Sequence, residues 1–161
     1  MTIELLQLLL LIIIANGAPI LISAMLGDVF DIAVDFGWKL PDGQRIFGSS
    51  KTWRGVVAAF LTTPIAAWLL GFSPETGLLI AFYAILGDLI SSFIKRRLSL
   101  PPSSMALLLD QIPESLFPAL MLKDVFNLDI SSILLLVAIF IIMELTLSKL
   151  LYHWGLRNRP Y

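Results

Sequence analysis

The sequence contains no cysteine, which excludes both disulfide bonds and metal sites built from thiolates. Charged residues are also scarce, at 14% of the chain, whereas a soluble domain carries about 25%. The few charges nearly balance, and a net charge of −1 argues against a nucleic acid as a partner. Hydrophobic residues are in excess, at 58% of 161 residues. We therefore expect an integral membrane protein with a single domain over residues 1–161.

The hydrophobic residues fall into five segments, at about residues 3–26, 56–72, 76–94, 113–122 and 130–154. A membrane-spanning helix needs about 20 apolar residues, with a range of about 17–25. The first, third and fifth segments are long enough, and the second is near the lower limit. The fourth can span only if it extends at one of its ends. The pattern predicts an all-α, multi-pass membrane protein with about five transmembrane helices.

The first segment is not typical of a cleaved signal peptide. No basic region precedes it, and Glu4 stands there instead. Its apolar run continues past Asn16, Gly17 and Pro19, which membrane helices tolerate where neighbouring helices satisfy the backbone. We expect a first transmembrane helix that these three residues interrupt, most simply by a packing kink.

The distribution of basic residues predicts the topology. Two long polar loops, residues 27–55 and 95–112, hold four and three of the eleven lysines and arginines. Another three basic residues, Lys149, Arg157 and Arg159, lie towards the C-terminal end. By the positive-inside rule the long loops and the C-terminus are cytoplasmic, and the N-terminus is outside. A site built from these loops would therefore lie at the cytoplasmic face of the cell membrane.

The end of the first long loop concentrates glycines, hydroxyls and cations. Gly48 and Ser50 can present bare backbone N–H groups, and a helix that begins near Thr52 would add the positive end of its dipole. Lys51 and Arg54 add full positive charges. The combination predicts an anion site suited to phosphate, although its spacing is not that of a Walker loop. The alternative is a solvated loop whose cations only set the topology.

A second constellation ends the third hydrophobic segment. Since each helical residue advances about 100°, Asp88, Ser92 and Lys95 lie within about 40° of a common face. Arg96 lies at the margin of that face, while Arg97 points away and is expected to meet lipid headgroups. This face offers a carboxylate for a cation and, one to two turns on, a partner for a phosphate. The alternative is an internal pairing of Asp88 with Lys95 or a serine that holds helices together.

A third constellation begins the fourth segment. Asp110 can cap the N-terminus of this helix, with proline accepted in the first turn. Glu114 lies one turn further on, on nearly the same face. Carboxylates of Asp88, Asp110 and Glu114 could hold Mg²⁺, which prefers carboxylates, water and substrate phosphates to an all-protein cage. Glu144, in the middle of the fifth segment, must face protein or a cavity.

Together these motifs resemble those of the archaeal CDP-archaeol synthases, the CTP:2,3-bis-O-geranylgeranylglycerol 1-phosphate cytidylyltransferases, which are distant relatives of the phosphatidate cytidylyltransferases. The resemblance rests on residues 47–55, 87–97 and 109–111, in the order and spacing of the family. The small size and the hydropathy extend it over most of the chain. The sequence departs from the family at Ser50 and at the serine pair Ser103 and Ser104, where glycine is expected, but these departures remove no charged group.

The resemblance implies that CTP and an isoprenoid diether glycerol phosphate give CDP-archaeol and pyrophosphate, with Mg²⁺ as the cofactor and membrane lipids as surroundings. It implies catalytic roles for Asp88, Lys95 and Asp110, and metal-binding roles for Asp88, Asp110 and Glu114. The implied nucleotide- and phosphate-binding residues are Gly48, Ser50, Lys51, Thr52, Arg54, Ser92 and Arg96.

Two other functions stay open at this point. The substrate could be another lipid phosphate such as phosphatidate, because the headgroup chemistry would be identical. A protein of another class, a small anion-binding transporter, would carry polar residues through the depth of several helices. Here the ionisable residues cluster at one boundary, with Glu144 as the exception.

Overall fold

The structure is a computed structural model, and it describes residues 2–101, 104 and 106–155. Arg157 and Arg159, which contribute to the predicted topology, and Ser103, one of the departures from the family, lie outside these residues. Over the described ranges the chain forms five helices and two isolated β-bridges, but no β-strand. The predicted all-α class is therefore confirmed.

The five helices follow the predicted segments closely: α1 Ile3–Leu26, α2 Trp53–Leu69, α3 Pro74–Arg97, α4 Gln111–Met121 and α5 Ile130–His153. Side chains of Thr2, Ser73 and Asp129 cap α1, α3 and α5, each accepting a backbone N–H of the first turn. The cations that end α3 lie at the negative end of its dipole. Local sequence signals thus account for most helix boundaries.

Three of the helices, α1, α3 and α5, are 24 residues long and apolar enough to cross a membrane. α2 has 17 residues, which is near the lower limit. α4 has 11 residues, beginning two residues before the predicted segment and ending one residue short of its end, so it covers about 16 Å, roughly half of a ~30 Å hydrocarbon core. After α4 the chain turns, and Phe126 and Leu128 are buried there. α4 by itself is too short to cross the membrane.

The predicted interruption of α1 is not observed, because the helix continues through Asn16 and Pro19. The side-chain amide of Asn16 donates to the carbonyl of Ile12 at 3.1 Å. Pro19 lies against the start of α2, where a Cβ placed on Gly55 would be 2.9 Å from the Pro19 Cβ. Proline and glycine therefore form a close crossing of α1 and α2 within an unbroken helix.

α3 packs between α2 and α4 at two glycines. A Cβ on Gly77 would lie 2.5 Å from the Cα of Pro64, and a Cβ on Gly87 would lie 2.7 Å from the backbone nitrogen of Glu114. No side chain fits at such distances, so the glycines let the helix backbones approach. The contact at Gly87 brings the start of α4 beside the next residue of α3, Asp88.

Polarity divides the bundle into two halves. The buried hydrophobic core lies where α1, α3 and α5 begin and where α2 and α4 end; it includes Leu5, Leu8, Ile12, Ile80, Ala119, Ile133, Leu136 and Phe140. The opposite half, where α1, α3 and α5 end and α2 and α4 begin, contains buried polar and charged residues. The first half stabilises the bundle by apolar burial, and the second is available for chemistry.

Candidate active site

A cavity of about 950 Å³ lies in the polar half of the bundle. Its wall includes every predicted site residue except Gly48, namely Ser50, Lys51, Thr52, Arg54, Asp88, Ser92, Lys95, Arg96, Asp110 and Glu114. Three separate stretches of the sequence therefore converge on one cavity. Gly48 lies directly behind this wall, since a Cβ placed on it would be 3.4 Å from Nη1 of Arg96.

An ion pair between Lys51 and Asp88 joins the first loop to α3, with 2.5 Å between Nζ and Oδ1. The two side chains are 23% and 26% exposed, so both can be reached from the cavity. Burial lowers the pKa of Lys51, but the carboxylates of Asp88, Glu114 and Asp110 outweigh it and raise the pKa above its usual range. Lys51 is therefore a cation, held beside a carboxylate.

Lys95 makes an equivalent pair with Asp110, with 2.7 Å between Nζ and Oδ1, and also donates to the carbonyl of Ser104 at 3.3 Å. The predicted cap is wrong, because the Asp110 side chain does not cap α4. Its Oδ2 accepts instead from the N–H of Ala106 at 3.2 Å. Oδ1 is buried and faces the Lys95 ammonium, which already supplies it with a cation.

The three predicted metal-binding carboxylates do not form a preformed cage. Among the described residues no three histidine, cysteine or acidic side chains lie close enough together to hold a metal ion on their own. Glu114 is buried one turn into α4, while Asp88 and Asp110 each face a lysine. Mg²⁺ commonly takes one or two carboxylates and completes its shell with water and substrate phosphates, so it does not need a preformed cage, and the metal-binding roles stay predictions.

Two guanidinium nitrogens of Arg96 have no hydrogen-bond partner among the described residues. The residue is 3% exposed and donates from Nη2 to the carbonyl of Pro101 at 2.9 Å. The two nitrogens without a partner, Nε and Nη1, are buried. Gly48, with a φ of +101° that favours glycine, packs against this group. Unsatisfied cationic donors at a cavity wall suit a phosphate oxygen, as the sequence predicts.

Arg54 is already engaged by the protein. Its Nη1 donates to the carbonyls of Gly27 and Val29 at 2.6 and 2.7 Å. Its Nη2 donates to Ser23 Oγ at 2.9 Å and pairs with Asp31 at 2.8 Å. These contacts fasten the end of α1 to the start of α2. The geometry therefore favours a clamp at Arg54 over a freely available phosphate donor.

Arg97 also fastens the first loop, and its expected contact with lipid headgroups stays a prediction. Its Nη1 donates to Asp42 Oδ2 and its Nη2 to the carbonyl of Arg45, both at 2.6 Å. The guanidinium lies 5.2 Å from the ring centroid of Phe93, a cation–π distance. Arg97 thus links the end of α3 to the middle of the first loop.

The predicted hydroxyl residues occupy different positions around the cavity. Ser92 is 2% exposed on α3, between Asp88 and Lys95 in sequence. Ser50 is exposed in the first loop. Thr52 precedes α2, which begins at the next residue as expected, and its side chain makes no capping hydrogen bond. None of these placements conflicts with a phosphate-binding role, which stays a prediction.

Sequence reasoning assigned no role to a polar contact between α4 and α5. Gln111 Nε2 donates to Glu144 Oε2 at 2.7 Å, and Ser148 Oγ donates to Glu144 Oε1 at 3.3 Å. All three residues line the cavity. The acid in the middle of an apolar segment was the available signal. Its partner lies 33 residues away, and no sequence spacing points to it.

Comparisons with known proteins agree with the motifs. The model of the CarS-like family, described as CDP-archaeol synthase, matches residues 2–161. The CDP-archaeol synthase of Pyrococcus furiosus is 31% identical over 157 residues, with 91% of this chain and 85% of the relative covered. That of Pyrobaculum aerophilum is 33% identical over 159 residues, with 92% of each chain covered.

A solved structure is similar over the whole bundle. It is described as an intramembrane enzyme for archaeal membrane lipid biosynthesis. It matches with a TM-score of 0.74 at 28% sequence identity, covering 89% of this chain and 91% of that one. The predicted membrane character agrees with this match and with the three long apolar helices. The chain belongs to the CDP-archaeol synthase family.

Proposed function

We propose that this chain transfers CMP from CTP to the phosphate of 2,3-bis-O-geranylgeranylglycerol 1-phosphate, giving CDP-archaeol and pyrophosphate. Membership in the family supports the reaction. The observation that carries the proposal is one cavity that gathers Lys51, Asp88, Lys95, Arg96 and Asp110 at the polar end of a membrane bundle.

The reaction brings together two polyanions, so charge neutralisation dominates the chemistry. An oxygen of the lipid phosphate attacks the α-phosphorus of CTP, the bond from that phosphorus to the bridging oxygen breaks, and pyrophosphate leaves. The attacking phosphate is already an anion at neutral pH, so no strong general base is required. Catalysis then consists mainly of positioning and of electrostatic stabilisation.

Three cations on the cavity wall divide this task. We assign Lys51, which belongs to the first loop, to the triphosphate of CTP. Lys95 and Arg96, from the last turns of α3, are assigned to the lipid phosphate or to the departing pyrophosphate. The two buried nitrogens of Arg96 that make no hydrogen bond with the described residues support its assignment. Arg54, also on the cavity wall, fastens the start of α2 to the end of α1.

Asp88 and Asp110 are the proposed ligands of Mg²⁺, with Glu114 beside them. The buried Asp110 Oδ1 already faces one cation, the Lys95 ammonium, whose place Mg²⁺ would take. When bound, Mg²⁺ would neutralise the triphosphate and act as a Lewis acid on its oxygens. In the structure each of the two aspartates is paired with a lysine. Lys51 and Lys95 can turn to phosphates, which frees Asp88 and Asp110 to hold a cation.

The apolar chains of the lipid would leave the cavity between α1 and α5. Ile13 and Ile20 of α1 and Leu145 and Leu151 of α5 all contribute to the cavity wall. The lipid phosphate would thus reach the charged end while the isoprenoid chains lie along the apolar wall. This arrangement suits a substrate that arrives laterally from the inner leaflet.

A direct assay tests the proposed reaction. Purified protein with labelled CTP, Mg²⁺ and the diether phosphate should yield labelled CDP-lipid and pyrophosphate. Phosphatidate serves as the comparison substrate, and faster turnover of phosphatidate would reassign the lipid specificity. If there is no turnover while liposomes containing the protein conduct anions, the transporter function is the correct one.

Single-cysteine labelling tests the proposed topology, in which the first loop is cytoplasmic and the turn between α4 and α5 is outside. The chain has no cysteine, so each introduced thiol is unique. Lys39→Cys in the first loop and Asp124→Cys in that turn are both at exposed positions. An impermeant reagent applied from outside should label only Asp124→Cys. Labelling of Lys39→Cys alone would show that the orientation in the membrane is the opposite one.

A further inference from the structure

Asp35 is a buried carboxylate in the first loop that neither the motifs nor the proposed chemistry use. Its side chain is 0% exposed. Arg45 pairs with it and donates from Nε at 3.3 Å as well as from Nη2. The backbone N–H groups of Gly37, Phe47 and Gly48 donate to the same carboxylate at 3.0, 3.1 and 2.9 Å. Asp35 is thus the centre of a small hydrogen-bonded frame.

The frame explains how a carboxylate persists in this position. Burial raises the pKa of Asp35, but the Arg45 guanidinium and the three backbone N–H groups outweigh burial and hold the pKa well below its usual range. The carboxylate is therefore ionised and fully partnered. It is not part of the cavity wall, so it has no direct access to a substrate there.

The frame lies beside residues 48–51, the first part of the predicted phosphate-binding segment. Asp35 accepts the N–H of Gly48 at 2.9 Å, at the start of that segment. The preceding residue, Val34, donates its N–H to the carbonyl of Lys51 at 2.8 Å, at the segment's end. The consecutive residues Val34 and Asp35 therefore hold Lys51 and Gly48 in turn. Only residues 49 and 50 lie between these two held positions.

Each end of the segment from Gly48 to Lys51 contacts a residue of the cavity wall. From the second end, the Lys51 side chain reaches Asp88 on α3. At the first end, Gly48 faces the Arg96 guanidinium, whose Nη1 would lie 3.4 Å from a Cβ placed on the glycine. A change at Asp35 would therefore displace the backbone from which Lys51 extends, although within the described part of the chain Asp35 makes no hydrogen bond or ion pair with Lys51 or with α3.

We propose that Asp35 is a positioning residue for the transfer reaction, fixing the segment from Gly48 to Lys51 so that the Lys51 ammonium meets the triphosphate of CTP. This inference rests on the proposed role of Lys51 in binding CTP. Asp35 acts through the loop backbone and does not itself contact the substrate. Pre-organisation of this kind lowers the entropic cost of ordering the loop when the substrate binds.

The test is a kinetic comparison of two loop variants. Asp35→Asn keeps the size of the side chain but removes its charge and places an NH₂ group among donors. We expect the KM for CTP to rise about tenfold, with kcat changed much less, because one charged contact is misplaced and not removed. The matched control is Asp42→Asn, which alters another ion-paired aspartate of the same loop and should keep the wild-type KM.

A second variant separates positioning from folding. Asp35→Asn leaves Arg45 without its counter-charge, whereas Asp35→Asn with Arg45→Gln removes both charges and should fold more readily. Calorimetric titration of CTP into monodisperse protein gives the affinity of the folded molecules only. If either variant folds and binds CTP as tightly as the wild type, Asp35 is a structural residue and the inference is overturned, whatever the melting temperature.

Lys51→Gln, measured in the same series, separates the proposed role of Lys51 in binding CTP from the proposed positioning role of Asp35. If Lys51→Gln leaves CTP affinity unchanged, the proposed role of the loop in nucleotide binding fails. If Lys51→Gln weakens binding while the Asp35 variants do not, the loop binds CTP and only the positioning role fails. A loss of affinity in both sets supports the inference.

Discussion

Two regions of the molecule pair their charges in different ways. Arginines pair with the aspartates of the first loop: Arg45 with Asp35, Arg54 with Asp31 and Arg97 with Asp42. Lysines pair with the aspartates of the cavity: Lys51 with Asp88 and Lys95 with Asp110. The arginine pairs hold the loop, although Arg54 and Asp31 also line the cavity, and the lysine pairs lie where a substrate would bind.

The difference lies in what else each cation contacts. Arg54 and Arg97 donate to backbone carbonyls as well as to a carboxylate. A guanidinium has five donors in a planar fork and can serve several partners at once, whereas an ammonium is a point charge on a flexible stem. Lys51 has Asp88 as its hydrogen-bond partner, and Lys95 adds only one carbonyl among the described residues. The arginine pairs therefore suit a fixed scaffold, and the lysine pairs suit an exchange of partners.

The largest effect is expected from breaking a cavity pair. Asp88→Asn removes a proposed metal ligand and the counter-charge of Lys51, and should lower kcat by at least about a hundredfold because charge neutralisation dominates this reaction. The melting temperature should change little, since the pair is open to the cavity. Asp124→Asn, in the exposed turn after α4, is the control that should retain full activity. Near-normal turnover of Asp88→Asn would exclude it as a metal ligand.

Exchange of partners in the cavity also predicts coupled binding. Since Asp88 and Asp110 are paired with lysines, Mg²⁺ alone should bind weakly, and CTP should raise its affinity about tenfold, with the reciprocal effect of Mg²⁺ on CTP. Calorimetry with each component alone and with both measures this coupling. Lys51→Gln should increase the affinity for Mg²⁺ alone, because it frees Asp88. Independent binding of Mg²⁺ and CTP would contradict the exchange.

A smaller effect is expected from an arginine pair. Arg97→Lys keeps the charge but loses the fork that joins Asp42 to the carbonyl of Arg45, and should lower the free energy of unfolding by about 1 kcal/mol. Proteolysis of the first loop should become faster, with kcat at saturating CTP nearly unchanged. Lys149→Arg, an exposed change of the same kind, is the control. A loss of kcat without a loss of stability would place Arg97 with the cavity residues.

The smallest effect concerns pH, and the two regions should differ in its direction. The pKa of Asp35 is lowered by folding, so its pair stabilises the protein above about pH 4 and the stabilisation is lost as the pH falls. The pKa of Lys51 is raised, so its pair contributes below about pH 10 and is lost as the pH rises further. Compared with the wild type, the melting temperature of Asp35→Asn should therefore fall less as the pH is lowered. The melting temperature of Lys51→Gln should fall less as the pH is raised. If the melting temperatures of both variants depended on pH in the same way, the expected difference between the two regions would be contradicted.

The helices were largely predictable because their signals are local. The bounds of α1 agree with the first hydrophobic segment at both ends, and α5 begins where its segment begins. The interruption of α1 was predicted wrongly, since Pro19 is accommodated at the crossing with α2. The extension of α4 that a full span requires is absent, and the chain turns at Leu122. Propensity describes one helix at a time and does not include the neighbour against which it packs.

The candidate site was predictable as a set of residues but not as a set of contacts. Helical spacing placed Asp88 and Lys95 on one face, and the expected alternative was that they pair with each other. In the structure they pair with Lys51 and Asp110, which lie on other segments. Asp35 escaped notice because nothing in its sequence neighbourhood distinguishes it from the other acids of the loop.

The sequence by itself determined the all-α membrane class, the approximate helices, the family and the residues that reach the cavity, because hydrophobic runs, end signals and motif spacing act over short stretches of chain. The tertiary structure alone decided which cation holds which carboxylate. Partners such as Lys51 and Asp88 lie 37 residues apart and meet through the packing of α2 against α3, where Gly77 lets the helix backbones approach. Whether a charge fixes a loop or is free to exchange its partner therefore depends on packing between distant segments.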